Sequence, residues 1–234
     1  FTSCEEYRHR VIQMGEQPSR VFDVGSLGVE NIKAVPLMTK DELEASLDFK
    51  IDKQTILVTY HPVTLGGDPA KDIREFLDAL DQFKDLKVIF TMPNSDTGRD
   101  AIALAVENYV EKHSNSAKAY TSLGLKRYLS TLQFVKAAVG NSSSGIIEVP
   151  SFGIPTLNIG DRQKGRLASK SVVNCGTSKD EVIDGLKLCL SEEMQKAAKT
   201  YENPYAKPDT ANLIYQELKN VELAGLNLKT FYDL

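Results

Sequence analysis

Residues 139–166 read VGNSSSGIIEVPSFGIPTLNIGDRQKGR, a pattern that predicts a strand, a polar turn, a short helix, a second strand and a basic loop. The strand ends at Asn141, and small residues that cap helices or allow close backbone approach follow it. They are Ser142, Ser143, Ser144 and Gly145. A helix that begins there directs free N–H groups and a positive dipole end at the space above the turn. One cap residue would satisfy that helix, so the run favours an anion site, such as one for phosphate, over capping alone.

The second strand, Thr156–Ile159, delivers a basic loop to the same edge of the sheet if the two strands are parallel neighbours. Arg162 can clamp a diphosphate with its planar fork, and Lys164 and Arg166 are weaker helpers or solvated charges. The loop is not a P-loop, because Arg166 and Leu167 stand where that motif has Lys and Ser/Thr. The chain also lacks a GxGxxG fingerprint, and no serine of the turn has the flanking glycines of a nucleophile elbow.

The composition indicates an ordinary globular protein of one or two domains: 234 residues, 41% hydrophobic and 26% charged, with a net charge of -4. A mildly acidic chain has no overall field that attracts nucleic acid. Three cysteines without a CxxC motif or a Cys/His cluster favour neither disulfides nor zinc, so we predict a cytoplasmic protein without a metal or cofactor. No apolar run approaches the ~18 residues that span a membrane. The chain begins at Phe1 rather than at methionine, which indicates a fragment.

Short apolar segments alternate with amphipathic segments along most of the chain. The predicted strands are 20–28, 55–62, 86–93, 117–123, 137–140, Thr156–Ile159 and 171–175. The predicted longer helices are 4–14, 39–47, 69–83, 97–113, 126–136, 180–190, 192–201 and 209–221. Short strands separated by such helices predict a parallel sheet covered on both faces, and hence one doubly wound, Rossmann-like α/β domain.

Ligands of an open parallel sheet bind beyond the carboxyl ends of the strands, so the residues that follow each strand are candidates for a site. His61 comes at the end of the apolar segment 55–62 and before a proline, which places it at the mouth of the sheet. It is either a structural histidine or a diphosphate contact and proton donor. Asn94 follows the next strand and is either a turn residue or a ligand contact.

Two further side chains extend the candidate site. Glu148 lies at an apolar helix end, where a buried carboxylate needs donors nearby. The two vicinal hydroxyls of a ribose would satisfy both carboxylate oxygens, and the alternatives are a surface position or a bond to local backbone. Tyr128 offers an aromatic wall to a base, although an aromatic residue in a helix is more often part of the core.

The stretch 139–166, together with YHPVT (60–64) and MPNSDTG (92–98), closely resembles the UDP-N-acetylglucosamine 2-epimerases, and specifically the hydrolysing branch that supplies N-acetylmannosamine for sialic acid synthesis. The resemblance extends to EEYRHRVIQMGE (5–16) and RVFDVGSLGVENI (20–32) and covers essentially the whole chain. Members of the family have two Rossmann-like domains of the glycosyltransferase-B type, with UDP held mainly by the second. The resemblance therefore implies that residues 1–20 carry the last helix of a missing N-terminal domain and that residues 21–234 form the UDP-binding domain.

The resemblance also implies a role toward UDP for each candidate. The diphosphate contacts are Ser142, Ser143, Ser144, Gly145, Arg162 and His61. Glu148 binds the ribose hydroxyls, Asn94 lies near the sugar or diphosphate, and Tyr128 lies near uracil. The expected partners are UDP or UDP-GlcNAc, without nucleic acid or membrane, in a full-length protein that forms homo-oligomers.

The reaction implied by the resemblance is the anti elimination of UDP to a glycal, followed by hydration to the 2-epimer. The acid and base carboxylates of the family belong to the first domain, so we expect no catalytic residue here beyond an assisting His61. Asp96 and Asp161 are not assigned as catalysts. We expect these 234 residues to bind nucleotide without turning it over.

Several alternatives stay open at this point. The serine run favours the hydrolysing branch over the non-hydrolysing 2-epimerases, and a related UDP-2,4-diacetamido sugar fits the same half-site. A glycosyltransferase of the same fold would need an acceptor and leave the configuration at C2 unchanged. A non-catalytic nucleotide-binding module would bind UDP without turnover.

Overall fold

Six parallel strands form one sheet in the computed structural model, which describes residues 1–63 and 67–233. The strands are β1 Thr55–Thr59, β2 Lys87–Thr91, β3 Ala117–Tyr120, β4 Ala137–Gly140, β5 Thr156–Ile159 and β6 Val172–Cys175. Their order is β3-β2-β1-β4-β5-β6, and every neighbouring pair is parallel. The predicted doubly wound sheet is confirmed, and so is the pairing of β4 with β5 that brings the basic loop beside the serine turn.

Ten α-helices accompany the sheet in the described part of the chain. They are α1 Glu5–Gln13, α2 Leu27–Ala34, α3 Lys40–Leu47, α4 Pro69–Leu80, α5 Arg99–Lys112, α6 Gly124–Leu132, α7 Ser144–Ile147, α8 Lys179–Leu190, α9 Glu192–Ala198 and α10 Thr210–Asn220. Short 3-10 helices lie at Pro18–Arg20 and Val149–Phe152. The sequence pattern predicts these α-helices to within a few residues, with the exception of α2.

Both faces of the sheet are buried, as consecutive residues of β1 show. Ile56 and Val58 belong to an apolar cluster that includes residues of α4, α5 and α8. Leu57 points to the opposite face and is also buried, as are Leu43 of α3 and Leu129 of α6. Strands that are buried on both faces consist of near-continuous apolar residues, which explains the runs in the sequence.

The segment after the serine turn is short and irregular. α7 is a single turn that continues as the 3-10 helix Val149–Phe152. Pro150 has no N–H group, so it cannot extend an α-helical hydrogen-bond pattern. The chain then turns at Gly153, whose φ of +63° is left-handed, and enters β5.

The chain forms two compact units, Pro36–Glu202 and the pair of segments Phe1–Val35 and Asn203–Leu234. The first of these contains the whole sheet with α3 to α9, and the second contains α1, α2 and α10, with α2 packed against α10. The predicted domain boundary at residue 20 stays a prediction. No helix within the described ranges is long and apolar enough to cross a membrane.

The predicted strand over 20–28 is wrong. Its residues form one isolated parallel bridge between Thr2 and Asp23. Gly25 turns the backbone with a φ of +83°, and helix α2 begins at Leu27. The extended backbone is therefore too short to form a strand.

Candidate functional site

β1 and β4 are neighbours at the point where the strand order of the sheet reverses, with β2 and β3 beyond β1 and with β5 and β6 beyond β4. Crevices of open α/β sheets form at such switch points, beyond the carboxyl ends of the strands. β1 ends two residues before His61, and β4 ends two residues before Ser142. The topology therefore brings the predicted histidine and the predicted serine turn to one place.

The serine turn presents unpaired backbone donors. Gly145 N–H donates to Ser142 O at 3.1 Å, and Ser144 N lies 3.4 Å from the Ser142 hydroxyl oxygen. Within the described residues, the backbone N–H groups of Ser142 and Ser143 have no acceptor. Because α7 has only four residues, its dipole is small, and an anion here would depend on these two N–H groups and on nearby cations.

Gly145 allows α7 to approach β5. A Cβ atom at this position would lie 2.8 Å from Thr156 Cγ2. The Thr156 hydroxyl donates to Gly145 O at 2.7 Å. Gly145 therefore serves the packing of α7 on β5, and its role toward a ligand stays a prediction.

Asn141 connects the serine turn to two other parts of the candidate site. Its side-chain amide exchanges two hydrogen bonds with the backbone of His61, at 2.7 and 2.8 Å. Its carbonyl oxygen accepts from Arg162 Nη1 at 3.2 Å and from Gln163 Nε2 at 2.9 Å. The sequence pattern indicates only a small turn residue at Asn141, so this connection is a finding of the structure.

The ring of His61 is half-buried and oriented by its neighbour across the strand ends. The backbone N–H of Asn94 donates to His61 Nδ1 at 3.2 Å, so the neutral ring carries its proton on Nε2. Burial lowers the pKa of His61, the positive charge of Arg162 lowers it further, and Asp96 acts in the opposite direction. The ring is neutral at pH 7 and offers Nε2–H as a donor.

Lowering the pH is expected to destabilise the protein through His61. Its folded pKa lies below the unfolded value of about 6.5, so the unfolded chain takes up the proton first as the pH falls. The resulting loss of stability begins as the pH falls through about 6.5 and stops growing below the folded pKa. Urea unfolding of the wild type and of His61→Gln, compared between pH 7.5 and 5, measures the effect. A difference in unfolding free energy that stays constant over this range would contradict it.

The side chain of Asn94 is exposed, and its amide donates to Asp96 at 2.7 Å. Asn94 therefore acts on His61 through its backbone, and its side chain shapes the turn. This contact favours the interpretation of Asn94 as a turn residue. A contact between Asn94 and a ligand stays a prediction.

Tyr128 and Glu148 flank the serine turn. The Tyr128 hydroxyl donates to Ser144 Oγ at 2.7 Å. Burial raises the pKa of Tyr128 to about 12, and the charge of Glu148 acts in the same direction, so the hydroxyl stays protonated. The Glu148 carboxylate is half-buried and accepts no hydrogen bond from the described residues. The donors expected around a buried carboxylate are absent among these residues, and the role of Glu148 toward ribose stays a prediction.

The basic loop contributes one guanidinium to the site. Arg162 is half-buried and reaches Asn141 through one of its five N–H groups. Lys164 is exposed and pairs with Asp161 at 3.1 Å, and Arg166 is exposed as well. Of the three cations, Arg162 alone is bonded to the serine turn in the described part of the chain and the other two are exposed, and the predicted role of Arg162 toward a diphosphate stays a prediction.

A cleft of about 430 Å³ opens beyond β1, β2 and β3. Its walls include Thr59, His61, Thr91, Leu123, Tyr128, Ser142 and Ser144. The size falls within the range of small-molecule sites. Four predicted site residues thus line one cleft, and their roles toward a ligand stay predictions. Among the described residues, no group of three or more His, Cys, Asp or Glu side chains could hold a metal ion.

Sequence relatives cover the chain from end to end. A Campylobacter jejuni protein named GDP/UDP-N,N'-diacetylbacillosamine 2-epimerase (hydrolyzing) is 40% identical over 237 residues, which cover 100% of this chain and 61% of that protein. The Escherichia coli polysialic acid biosynthesis protein P7 is 36% identical over 237 residues, which cover 100% of this chain and 60% of that protein. The chain thus spans about 60% of the length of these relatives.

Solved structures share the fold. The S. aureus MnaA-UDP co-structure aligns with a TM-score of 0.73 at 16% identity, over 100% of this chain and 63% of that chain. The Neisseria meningitidis UDP-GlcNAc 2-epimerase bound to UDP-GlcNAc aligns with a TM-score of 0.66 at 16% identity, over 94% and 60% of the two chains. The family model for UDP-N-acetylglucosamine 2-epimerase matches residues 1–219. The resemblance found in the sequence is confirmed, and the chain belongs to the UDP-N-acetylglucosamine 2-epimerase family.

Proposed function

We propose that this chain is the UDP-binding part of a hydrolysing UDP-GlcNAc 2-epimerase, which converts UDP-GlcNAc and water to N-acetylmannosamine and UDP. The observation that carries the proposal is the assembly at the switch point. Asn141 connects the groups there: the Arg162 guanidinium donates to its carbonyl oxygen, the backbone of His61 is bonded to its side chain, and the free N–H groups of Ser142 and Ser143 follow it in the chain. The names of the C. jejuni relative and of the Neisseria structure support the assignment as a nucleotide-sugar 2-epimerase.

The diphosphate occupies the serine turn in this proposal. Ser142 N–H and Ser143 N–H bind its oxygens, as backbone donors bind anions elsewhere. Arg162 adds a planar fork from the side of the basic loop. His61 donates Nε2–H to an oxygen of the leaving UDP, which stabilises the charge that develops there.

The nucleoside extends from the turn along α6. The cleft beside Tyr128 takes the uracil ring, and the free carboxylate of Glu148 accepts from the two ribose hydroxyls. The Tyr128 hydroxyl is already bonded to Ser144, so the tyrosine contributes its ring face to the base and holds the turn through its hydroxyl.

The elimination breaks the bond from C1 of the sugar to the UDP oxygen as a proton leaves C2, and water then adds to the glycal. We propose that the groups that move these protons lie outside this chain. Asp96 accepts from the Asn94 amide and Asp161 pairs with Lys164, which occupies both carboxylates in local contacts. Homo-oligomerisation and a cytoplasmic location stay predictions.

A second substrate class has a specific observation in its favour. Relatives from C. jejuni and Legionella pneumophila, 40% and 31% identical, are named N,N'-diacetylbacillosamine 2-epimerases. The residues assigned here are assigned mainly to the nucleotide, so the proposed site suits a UDP-2,4-diacetamido sugar as well as UDP-GlcNAc. Comparing kcat/KM of the full-length enzyme for the two UDP-sugars decides between them.

Calorimetric titration of this chain with UDP tests the binding half of the proposal. We expect saturable heat, and no saturation at millimolar UDP would contradict it. Release of the 2-epimer sugar from UDP-sugar, followed by chromatography, tests the catalytic half. Turnover by the full-length enzyme supports the epimerase, UDP binding without turnover favours a non-catalytic module, and turnover only with an acceptor favours a glycosyltransferase.

Glu148→Ala is expected to weaken UDP binding about 10- to 150-fold, because a hydrogen bond to a charged group contributes ~1.5 to 3 kcal/mol. An analogue without the ribose hydroxyls should bind the variant and the wild type alike. Titrations with UDP and with 2',3'-dideoxy-UDP measure both effects, and Glu107→Ala, an exposed carboxylate on α5, is the matched control. Equal losses for both ligands would remove ribose recognition from Glu148.

A further inference from the structure

Asn141 is 1% exposed, and each of its polar groups has a partner. Its backbone N–H donates to Thr59 O at 3.2 Å. Its side-chain oxygen accepts from His61 N–H at 2.7 Å, and its side-chain nitrogen donates to His61 O at 2.8 Å. Its carbonyl oxygen accepts from Arg162 and Gln163. One buried residue at the start of the serine turn therefore also contacts the loop that carries His61 and the basic loop that carries Arg162.

The side chain of Asn141 replaces the main chain of a strand. The pairing of β1 with β4 ends with Thr59 opposite Gly140. Gly140 has a φ of +130°, so the backbone leaves the sheet there and enters the serine turn. The amide of Asn141 offers one acceptor and one donor to the backbone of His61, which in a parallel ladder two different residues of the neighbouring strand would supply. The side chain of Asn141 thereby holds His61 in line with β1 after the β4 chain has turned away.

We propose that Asn141 is a positioning residue of the nucleotide site, which fixes His61 and the Arg162 loop relative to the serine turn. The proposal rests on the proposed function for the identity of the ligand. In this proposal Asn141 touches neither the ligand nor the reacting atoms. Asn141 acts through the backbone of His61 and through the side chains of Arg162 and Gln163, which donate to its carbonyl oxygen.

Only an amide of this length matches these contacts. Aspartate has the same shape but no donor, so it would set a negative oxygen against His61 O. Alanine and serine do not reach both backbone groups, and glutamine is one methylene longer in a site with 1% exposure. Aspartate therefore leaves His61 O without a donor, and alanine and serine leave both backbone groups of His61 without partners.

The experiment compares Asn141→Ala and Asn141→Asp with Asn158→Ala in the 234-residue chain. Asn158 is a matched control because it is 3% exposed, lies on the neighbouring strand β5, and donates to Asn174 rather than to the site. Nitrogen NMR of His61 without ligand reports which ring nitrogen carries the proton. Calorimetry reports UDP affinity, and circular dichroism reports folding.

We expect wild type and Asn158→Ala to show the Nε2–H form of His61, and both Asn141 variants to show a mixture of the two ring forms. UDP affinity should fall about tenfold or more in the Asn141 variants, as for lost buried hydrogen bonds.

An unchanged Nε2–H form in the folded variants overturns the proposal, whether or not affinity falls. If Asn141→Ala does not fold, the isosteric Asn141→Asp carries the same readout. If the wild type does not bind UDP, the proposed function fails while the ring measurement still tests Asn141.

Discussion

Arg162→Ala is expected to weaken UDP binding by at least about a hundredfold, because two charge-assisted hydrogen bonds to phosphate contribute ~1.5 to 3 kcal/mol each. The guanidinium is half-buried and uses one N–H group on Asn141, so the others remain for a diphosphate. Arg162→Lys should restore only part of the affinity, since a point charge cannot reproduce a planar fork. Calorimetric titration with UDP measures all three proteins.

Lys164→Ala is the matched control for Arg162. It removes one positive charge from the same loop, but Lys164 is exposed and paired with Asp161, and exposed ion pairs contribute ~0.2 to 1 kcal/mol. Its UDP affinity should therefore stay within a few-fold of the wild type. Wild-type affinity in Arg162→Lys would rule out a bidentate clamp. An equal loss in Lys164→Ala would show that the general charge of the loop, rather than its geometry, binds the anion.

The arrangement of the sheet could be predicted because its strands are buried on both faces. Apolar runs such as TILVT of β1 differ in length and composition from the amphipathic helices between them. The sequence prediction failed at 20–28 and at α2 because residues far away along the chain determine the structure there. Ser26 N–H donates to Tyr205 O, and the Thr210 hydroxyl donates to Val24 O at 2.7 Å. Partners about 180 residues away along the chain leave no periodic pattern in the local sequence.

The candidate site could be predicted in part for a similar reason. His61 and the serines follow apolar strands, and parallel topology alone brings such residues to one edge. The role of Asn141 could not be predicted, because Asn beside serines and glycine is also typical of a cap or turn. Its contact with His61 depends on the register that pairs Thr59 with Gly140. The ring form of His61 likewise depends on a backbone N–H of Asn94.

Gly140→Ala is expected to destabilise the protein by about 3 kcal/mol or more, the sum of overpacking and backbone strain. A Cβ atom at Gly140 would lie 2.0 Å from Thr59 O, which belongs to the backbone of a central strand and cannot move aside. The φ of +130° also lies outside the left-handed region that other residues tolerate. Chemical unfolding of the wild type and the variant measures the difference in unfolding free energy.

Gly165→Ala separates the two causes. Gly165 also has a positive φ, +81°, but a Cβ atom there would meet nothing within 4 Å. This variant should therefore show only the cost of a left-handed alanine, about 1 to 2 kcal/mol. Equal destabilisation by the two variants would contradict the close approach at Thr59. A larger loss of unfolding free energy in Gly140→Ala, together with weaker UDP binding by the folded fraction, would show that both stability and UDP binding depend on the β1–β4 pairing. Thr59 O accepts from Asn141 N–H, so a displacement of Thr59 passes directly to the residue that holds His61.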